Sequence, residues 1–183
     1  MKGIIFNVAE HVVTEQHGAD AWDDLLVAAG VDGVYTAVGN YPDAEFSAIV
    51  AATARARGTT VQDVERWIGR RGMPLLADRY GDFFEPADAR AFVLTLNDVI
   101  HPEVRKLYPD VNVPDFDYEH VSETTLVVEY RSDRRMCGFA EGLILGAVDW
   151  YGESAVLGQD ACMHDGAPAC LIRCDFDAAS GPT

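Results

Sequence analysis

The chain has 183 residues, 49% of them hydrophobic, so it can bury a full core within one domain. It carries 30 acidic against 14 basic residues, a formal net charge of −16. Such a surface repels nucleic-acid phosphates and anionic lipids, so neither is expected as a partner. No apolar run is long enough to span a membrane, and the first residues lack the features of a secretory signal. The sequence therefore predicts a cytoplasmic protein, in which thiols stay reduced.

Helical periodicity dominates the first half of the chain. Predicted helices there cover residues 3–17, 20–29, 42–57, 60–80 and 86–107. The second half predicts strands around 117–119 and 124–131, a helix over 136–150, and strands around 155–159 and 169–175. This order predicts a mixed α+β fold with a helical N-terminal lobe, about 1–60, packed on an α/β C-terminal lobe, about 61–178, that contains an antiparallel sheet. The tail, 178–183, is expected to be unstructured.

His101 lies near the end of the fifth predicted helix, which Asp88 is placed to start. Pro102 follows it, and a residue before proline disfavours the α region, so we expect the helix to bend or end near His101. A neutral imidazole offers one nitrogen lone pair to haem iron. Taken alone, however, a histidine on an apolar helix is more often a core or surface residue.

The segment Tyr130-Arg131-Ser132-Asp133-Arg134 ends a run rich in β-branched and aromatic residues. In an extended strand, a spacing of two sends Tyr130, Ser132 and Arg134 to one face. Two hydroxyl donors and a guanidinium form a receptor for carboxylates, and haem carries two propionates. An exposed strand face is the more common explanation of such a pattern when it stands alone.

The four cysteines form a second pattern, because Cys162 and Cys170 enclose His164, Cys174 follows and Cys137 precedes them. These residue types are the ligands that Zn²⁺ prefers, but the spacing is not that of a standard CxxC pair. The residues alone are compatible with a structural zinc site and with buried thiols that bind no metal. A zinc hydrolase would use Cys137, Cys162, Cys170 and a bound water, with Glu141 or Asp160 as its base, but it leaves His101 and Tyr130 without a role.

Considered together, these segments resemble the haem-nitric oxide/oxygen binding domains, H-NOX, which include the sensor domain of soluble guanylate cyclases and stand-alone bacterial gas sensors. The resemblance rests on Met1–Asn7, on the His101 segment, on Tyr130, Ser132 and Arg134, and on Ala140–Leu143. It implies that residues 1–183 form one domain with haem b between its two lobes. It also implies that His101 ligates the iron, that Tyr130, Ser132 and Arg134 hold the propionates, and that Pro114 presses on the haem.

The resemblance also bears on which gas is bound. Members that hold oxygen stably carry a distal tyrosine a few residues after the Tyr-x-Ser-x-Arg motif, and this chain has Phe139 there. Ile5, Ala9 and Leu143 also match pocket positions, and none of them can donate a side-chain hydrogen bond. We therefore expect ferrous haem in this protein to bind nitric oxide and carbon monoxide but to form no stable complex with O₂.

In the same family, nitric oxide weakens or breaks the bond between iron and the proximal histidine, here His101, and thereby changes the protein's shape. The chain is thus expected to be a sensor and not an enzyme. Because it ends soon after the last predicted strand, its output is expected to pass to a separate protein. Stand-alone relatives commonly control a histidine kinase or a cyclic-di-GMP enzyme.

Some bacterial members bind zinc through three cysteines and one histidine. Cys137, Cys162 and Cys170 match those cysteines, but Gln159 stands where the histidine is expected. Either Cys174 or His164 replaces it, or the site is weak and its thiols are free to oxidise. A haem-free interaction module stabilised by zinc is the alternative reading of the whole chain.

Overall fold

The computed structural model describes residues 1–108 and 111–177, and its first half is a group of packed helices. These are α1, Gly3–His17; α2, Ala19–Ala29; α3, Asp43–Arg57; and α4, Val61–Arg79. Each lies within one residue of its predicted bounds. The start of α4 is fixed by a capping box, in which the Thr60 hydroxyl accepts from the Asp63 N–H at 3.1 Å. The predicted unstructured tail, 178–183, lies outside the described residues.

The predicted helix over 86–107 is divided into three pieces. Helix α5, Ala89–Thr95, begins where the Asp88 carboxylate accepts from the Ala91 N–H at 2.6 Å. A π-helical segment, Leu96–Ile100, leads into α6, His101–Leu107. His101 keeps helical backbone angles, φ −66° and ψ −37°, although Pro102 follows it. The helix is therefore interrupted next to His101, as expected, although His101 itself stays in the α region.

The second half supplies an antiparallel sheet and one long helix. The strands are β1, Asp115–His120; β2, Thr125–Arg131; β3, Ala155–Ala161; and β4, Cys170–Phe176, while α7, Cys137–Trp150, connects β2 to β3. Their order in the sheet is β1-β2-β4-β3. Tyr130 pairs with Phe116 on one side and with Cys170 on the other. The predicted α+β class with an antiparallel sheet is confirmed.

Buried side chains form two clusters on either side of α7. The N-terminal cluster includes Phe6 and Phe46 from α1 and α3, and the C-terminal cluster includes Ile172 from the sheet. Phe139 belongs to the first cluster and Ala140 to the second, so successive residues of α7 face different clusters. Helix α7 thus lies between the helical and the sheet-containing parts of the chain.

Helices α4 and α7 approach so closely that glycines of α7 contact the backbone of α4. A Cβ added at Gly142 would lie 2.3 Å from the Arg66 carbonyl oxygen, and one at Gly146 would lie 2.7 Å from that of Arg70. Beside this contact, the Arg66 guanidinium binds the buried Glu141 carboxylate at 2.6 Å. Small residues and one half-buried ion pair therefore fix the distance between the two helices.

We predict that Gly142→Ala destabilises the protein by about 1–3 kcal/mol, because the new methyl group must displace the α4 backbone. Urea unfolding followed by circular dichroism measures this change. Gly81→Ala is the control, since a Cβ there meets no atom within 4 Å. Equal midpoints for the two variants would contradict the close contact.

Candidate functional site

A cavity of about 300 Å³ lies where the N-terminal helices, α6 and the sheet face one another. Its volume falls at the lower end of small-molecule sites, and most of its wall is aliphatic or aromatic. Residues predicted from the sequence to hold a haem that line this cavity are His101, Pro114, Tyr130, Ser132, Arg134, Ile5, Phe139 and Leu143. The fold thus brings together segments that are far apart in the chain.

His101 presents a neutral imidazole to the cavity. Burial lowers its pKa to about 4, helped by the Arg105 charge and opposed by Asp115 and the Pro114 carbonyl. The ring stacks on Phe116 with centroids 5.5 Å apart. Its Nδ1 is buried and makes no well-formed hydrogen bond within the described part of the chain. A neutral, oriented imidazole has the chemistry that an iron ligand requires.

Asn97, which the sequence analysis missed, ties the segment before His101 to the sheet. Its side-chain oxygen accepts from the Phe116 N–H at 3.3 Å, and its side-chain nitrogen donates to the Phe116 carbonyl. Asn97 lies in the π-helical segment, where the regular helical hydrogen bonds are interrupted. A lone amide on a largely apolar helix was the only signal in the sequence.

Tyr130 and Ser132 supply hydroxyl groups to the cavity wall. Burial raises the pKa of Tyr130 to about 12, so the phenol keeps its proton at neutral pH. Its oxygen accepts from the Met136 N–H at 3.1 Å, which leaves the phenolic proton free to donate. Strand β2 ends at Arg131, so Ser132 and Arg134 lie beyond it, yet both still line the cavity.

Arg134 is held at the edge of the cavity by Asp43, which the sequence analysis did not identify as part of the site. The Arg134 Nε lies 2.8 Å from one Asp43 oxygen, and the Met1 nitrogen lies 2.7 Å from the other. Although burial opposes it, these two cations lower the pKa of Asp43. The Asn112 carbonyl accepts a further hydrogen bond from Arg134. The guanidinium is therefore oriented before any ligand arrives.

One apolar part of the wall comes from α1 and α7. Ile5, Phe139 and Leu143 line it, and none of them has a side-chain donor. Ala9 does not line the cavity, because it is fully buried among the N-terminal core residues. The side of α1 that carries Ala9 packs into the helical cluster, and a role for Ala9 beside a bound haem stays a prediction from the resemblance.

Cys137, Cys162 and Cys170 lie together at the base of α7. The Sγ atoms of Cys137 and Cys162 are 3.8 Å apart, and those of Cys162 and Cys170 are 3.9 Å apart. A tetrahedral ion with Zn–S bonds of about 2.3 Å places its thiolates about 3.8 Å apart. The three thiols therefore match the spacing of a metal site.

Neither proposed replacement for the fourth ligand joins these thiols. His164 Nε2 donates to the Arg135 carbonyl at 2.7 Å, and the Cys174 thiol points to the Ile172 carbonyl. Both lie outside the group of atoms close enough to share an ion. Among the described residues, the cluster does not fit a closed zinc site with four protein ligands. The zinc hydrolase hypothesis is also weakened, because the Glu141 carboxylate, one of its two candidate bases, is paired with Arg66.

A sequence profile of the family described as Haem-NO-binding matches residues 2–158. The chain belongs to this family. Comparison with curated protein sequences gives no significant match. Among solved structures, an H-NOX protein from S. oneidensis in the Fe(II)NO state has a TM-score of 0.90 and 34% identity, covering 97% of this chain and 100% of that one.

Two other solved structures are similar. The S. oneidensis H-NOX domain in the Fe(II)CO state has a TM-score of 0.86 and 34% identity, covering 97% of this chain and 99% of that one. The unliganded Fe(II) H-NOX protein from K. algicida has a TM-score of 0.88 over the full length of both chains, but at 24% identity it shows the fold alone. The predicted H-NOX resemblance is confirmed.

The H-NOX cavity of this chain has the donor set that a haem requires. A neutral imidazole on one wall provides a lone pair for iron. A free phenolic proton, a hydroxyl and an oriented guanidinium provide partners for two carboxylates. The apolar remainder of the wall suits a porphyrin ring.

Glu65 is a buried carboxyl beside Gly138, and sequence analysis did not single it out. It is 7% exposed, and its Oε2 has no hydrogen-bond partner among the described residues. Burial raises its pKa to about 7, against the opposing effects of the Phe139 backbone N–H and Arg66. The group thus resists ionisation next to the first turn of α7.

We predict that the parent loses free energy of unfolding as the pH rises through the pKa of Glu65, and that Glu65→Gln does not show this loss. A carboxyl with a raised pKa supports the fold while it is protonated, and this support is lost as the pH rises from 4.5 to about 7. At pH 8 the variant should therefore exceed the parent by up to about 3 kcal/mol, with little difference at pH 4.5. Urea unfolding across this range measures the effect, and the exposed Glu123→Gln variant should follow the parent. A difference that does not vary with pH would contradict the assignment.

Proposed function

We propose that this protein is a haem-based gas sensor that binds nitric oxide and carbon monoxide at ferrous haem ligated by His101. The observation that carries this proposal is a neutral imidazole on one wall of an apolar cavity whose edge holds an oriented arginine. The two S. oneidensis H-NOX structures, solved in the NO and CO states, support the choice of gases.

His101 would supply the axial nitrogen, and haem b would supply the ferrous iron at which the gas binds. The stacking on Phe116 and the link from Asn97 to β1 hold the imidazole segment against the sheet. Pro114 lines the same wall and would press on a bound ring, as the resemblance implies. These contacts orient the ligand before the cofactor arrives.

Tyr130, Ser132 and Arg134 would bind the two propionates. Tyr130 can donate its phenolic proton, because its oxygen already accepts from a backbone N–H. Arg134 is shared with Asp43, so a propionate would either join this ion pair or compete with it. In either case the anion is met by donors that are already in position.

We propose that the apolar wall of Ile5, Phe139 and Leu143 decides which gas is retained. Bound O₂ is stabilised by a hydrogen-bond donor, whereas nitric oxide binds iron strongly without one. Because these side chains offer no donor, stable O₂ binding is not expected.

The signal would arise when His101 is released from the iron. The imidazole lies at the junction of the π-helical segment and α6, so release would free a helix that is otherwise tethered. A separate histidine kinase or cyclic-di-GMP enzyme is the proposed partner. A candidate whose activity is the same with the gas-bound and gas-free protein is not such a partner. Within the described residues, no helix is long and apolar enough to cross a bilayer.

The division into a helical lobe, about 1–60, and a C-terminal lobe, about 61–178, belongs to the same proposal, as does a cytoplasmic location. The thiol cluster favours one competing function, a haem-free interaction module. Absorption of freshly expressed protein separates the two, because a strong Soret band supports the sensor. A colourless protein that does not take up added haem would support the module.

We predict that His101→Gly loses most of its haem and changes the absorption spectrum of what remains, because the iron loses its protein ligand. Free imidazole should restore the parent spectrum by entering the space of the missing side chain. Haem per chain, measured as the pyridine complex, quantifies the loss. His164→Gly is the matched control and should keep its haem, since that side chain is exposed and turned to the Arg135 carbonyl. A parent-like spectrum in His101→Gly without imidazole would end the proposal.

We predict that Phe139→Tyr gains O₂ binding that the parent lacks. The buried ring packs edge-on to Phe46, with centroids 6.3 Å apart, and lines the cavity. A new hydroxyl there adds a hydrogen bond of about 1–1.5 kcal/mol, which slows O₂ dissociation about tenfold. Stopped-flow absorption measures the rate, and Phe139→Leu controls for the change of shape. Stable O₂ binding by the parent would show that the apolar wall does not exclude it.

A further inference from the structure

The thiol cluster of Cys137, Cys162 and Cys170 lies apart from the sensing cavity and has no part in the function proposed above. All three residues are buried, and their sulfur atoms lie within 4.8 Å of one another. They come from the start of α7, the end of β3 and the start of β4, so the fold itself gathers them. The Met163 N–H donates to the Cys170 sulfur at 3.2 Å, which orients that thiol.

The position next to these thiols is occupied by a neutral, exposed side chain. Gln159 lies on β3 beside the bulge that separates it from Ala161, and its side chain is close enough to Cys137 to act against the rise that burial causes in the pKa of that thiol. An amide is a weak ligand for zinc, and the nearest imidazole and the fourth cysteine are turned away from the cluster. Within the described residues, the set therefore consists of three buried sulfurs with an exposed amide beside them.

Zinc and monovalent copper differ in what they need from such a set. Structural zinc is almost always held by four protein ligands, and a three-ligand site leaves one position to water. Cu(I) is softer, is selected by thiolates, and is satisfied by two or three sulfurs. One Cu(I) with two thiolates and one thiol has the same net charge as Zn²⁺ with three thiolates, so burial does not favour zinc.

We propose that Cys137, Cys162 and Cys170 form a three-sulfur site that binds Cu(I), and that Gln159 is the residue that keeps it from being a closed zinc site. The three sulfurs surround the ion, and the exposed amide leaves the fourth position without a strong ligand. The side chain at position 159 thus decides which metal ion the same three thiols prefer.

The decisive comparison is between the parent and Gln159→His, both loaded with haem and kept anaerobic. Each is titrated with Cu(I) and with Zn²⁺ against a coloured chelator for that ion. The parent should bind one Cu(I) per chain. Gln159→His should strengthen zinc binding by at least about 100-fold. Changing a residue that only contacts a metal ligand already alters metal affinity by about 10–100-fold, and a new direct ligand has a larger effect. The variant's affinity for Cu(I) should change by less than about threefold. Equal zinc affinities, or no Cu(I) binding by the parent, would overturn the proposal.

Two further measurements guard against a misfolded variant. Cys162→Ala should lose Cu(I), whereas Cys174→Ala should keep it, because that thiol points to the Ile172 carbonyl and not to the cluster. X-ray absorption of the copper-loaded parent needs no substitution and should show sulfur neighbours alone. A nitrogen or oxygen neighbour at the copper would contradict the three-sulfur site.

Discussion

The backbone contact between α4 and α7 is the constraint on which the rest of the structure depends. Gly142 lets the two helices approach so closely that a Cβ there would collide with the Arg66 carbonyl. The ion pair between Arg66 and Glu141 orients the helices at this contact. Helix α7 is thereby fixed between the two hydrophobic clusters. From that position it sends Phe139 to the cavity and Cys137 to the thiol cluster. One close helix pair thus sets the geometry of both sites.

Burial then determines the chemistry of the cavity. A chain with a net charge of −16 places its charges mainly outside, while the cavity keeps His101 and Tyr130 neutral by desolvation. Neutral forms are the useful ones there, because a protonated imidazole cannot ligate a metal and an ionised phenol cannot donate a hydrogen bond. Arg134 remains charged at the wall, and Asp43 balances it.

Local signals in the sequence predicted the helices and strands closely, because caps such as Thr60 and apolar periodicity act over a few residues. The motif at Tyr130 also placed its side chains at the cavity. The sequence did not reveal Asp43 or Glu65, since their roles arise from partners distant in the chain, or that Ala9 packs into the helical cluster. Which face of α1 meets the cavity depends on packing against other helices, which single-residue patterns do not encode.

The two sites are closer in structure than their separate chemistry suggests. Tyr130 pairs with Cys170 across the sheet, and its hydroxyl accepts from Met136, the residue before Cys137. A displacement of the cluster therefore reaches Tyr130 through one peptide unit and one hydrogen bond. His101 meets this region through the stacked ring of Phe116. Hydrogen bonds are more directional than ring contacts, so the thiol cluster is joined more tightly to the Tyr130 side of the cavity than to the His101 side.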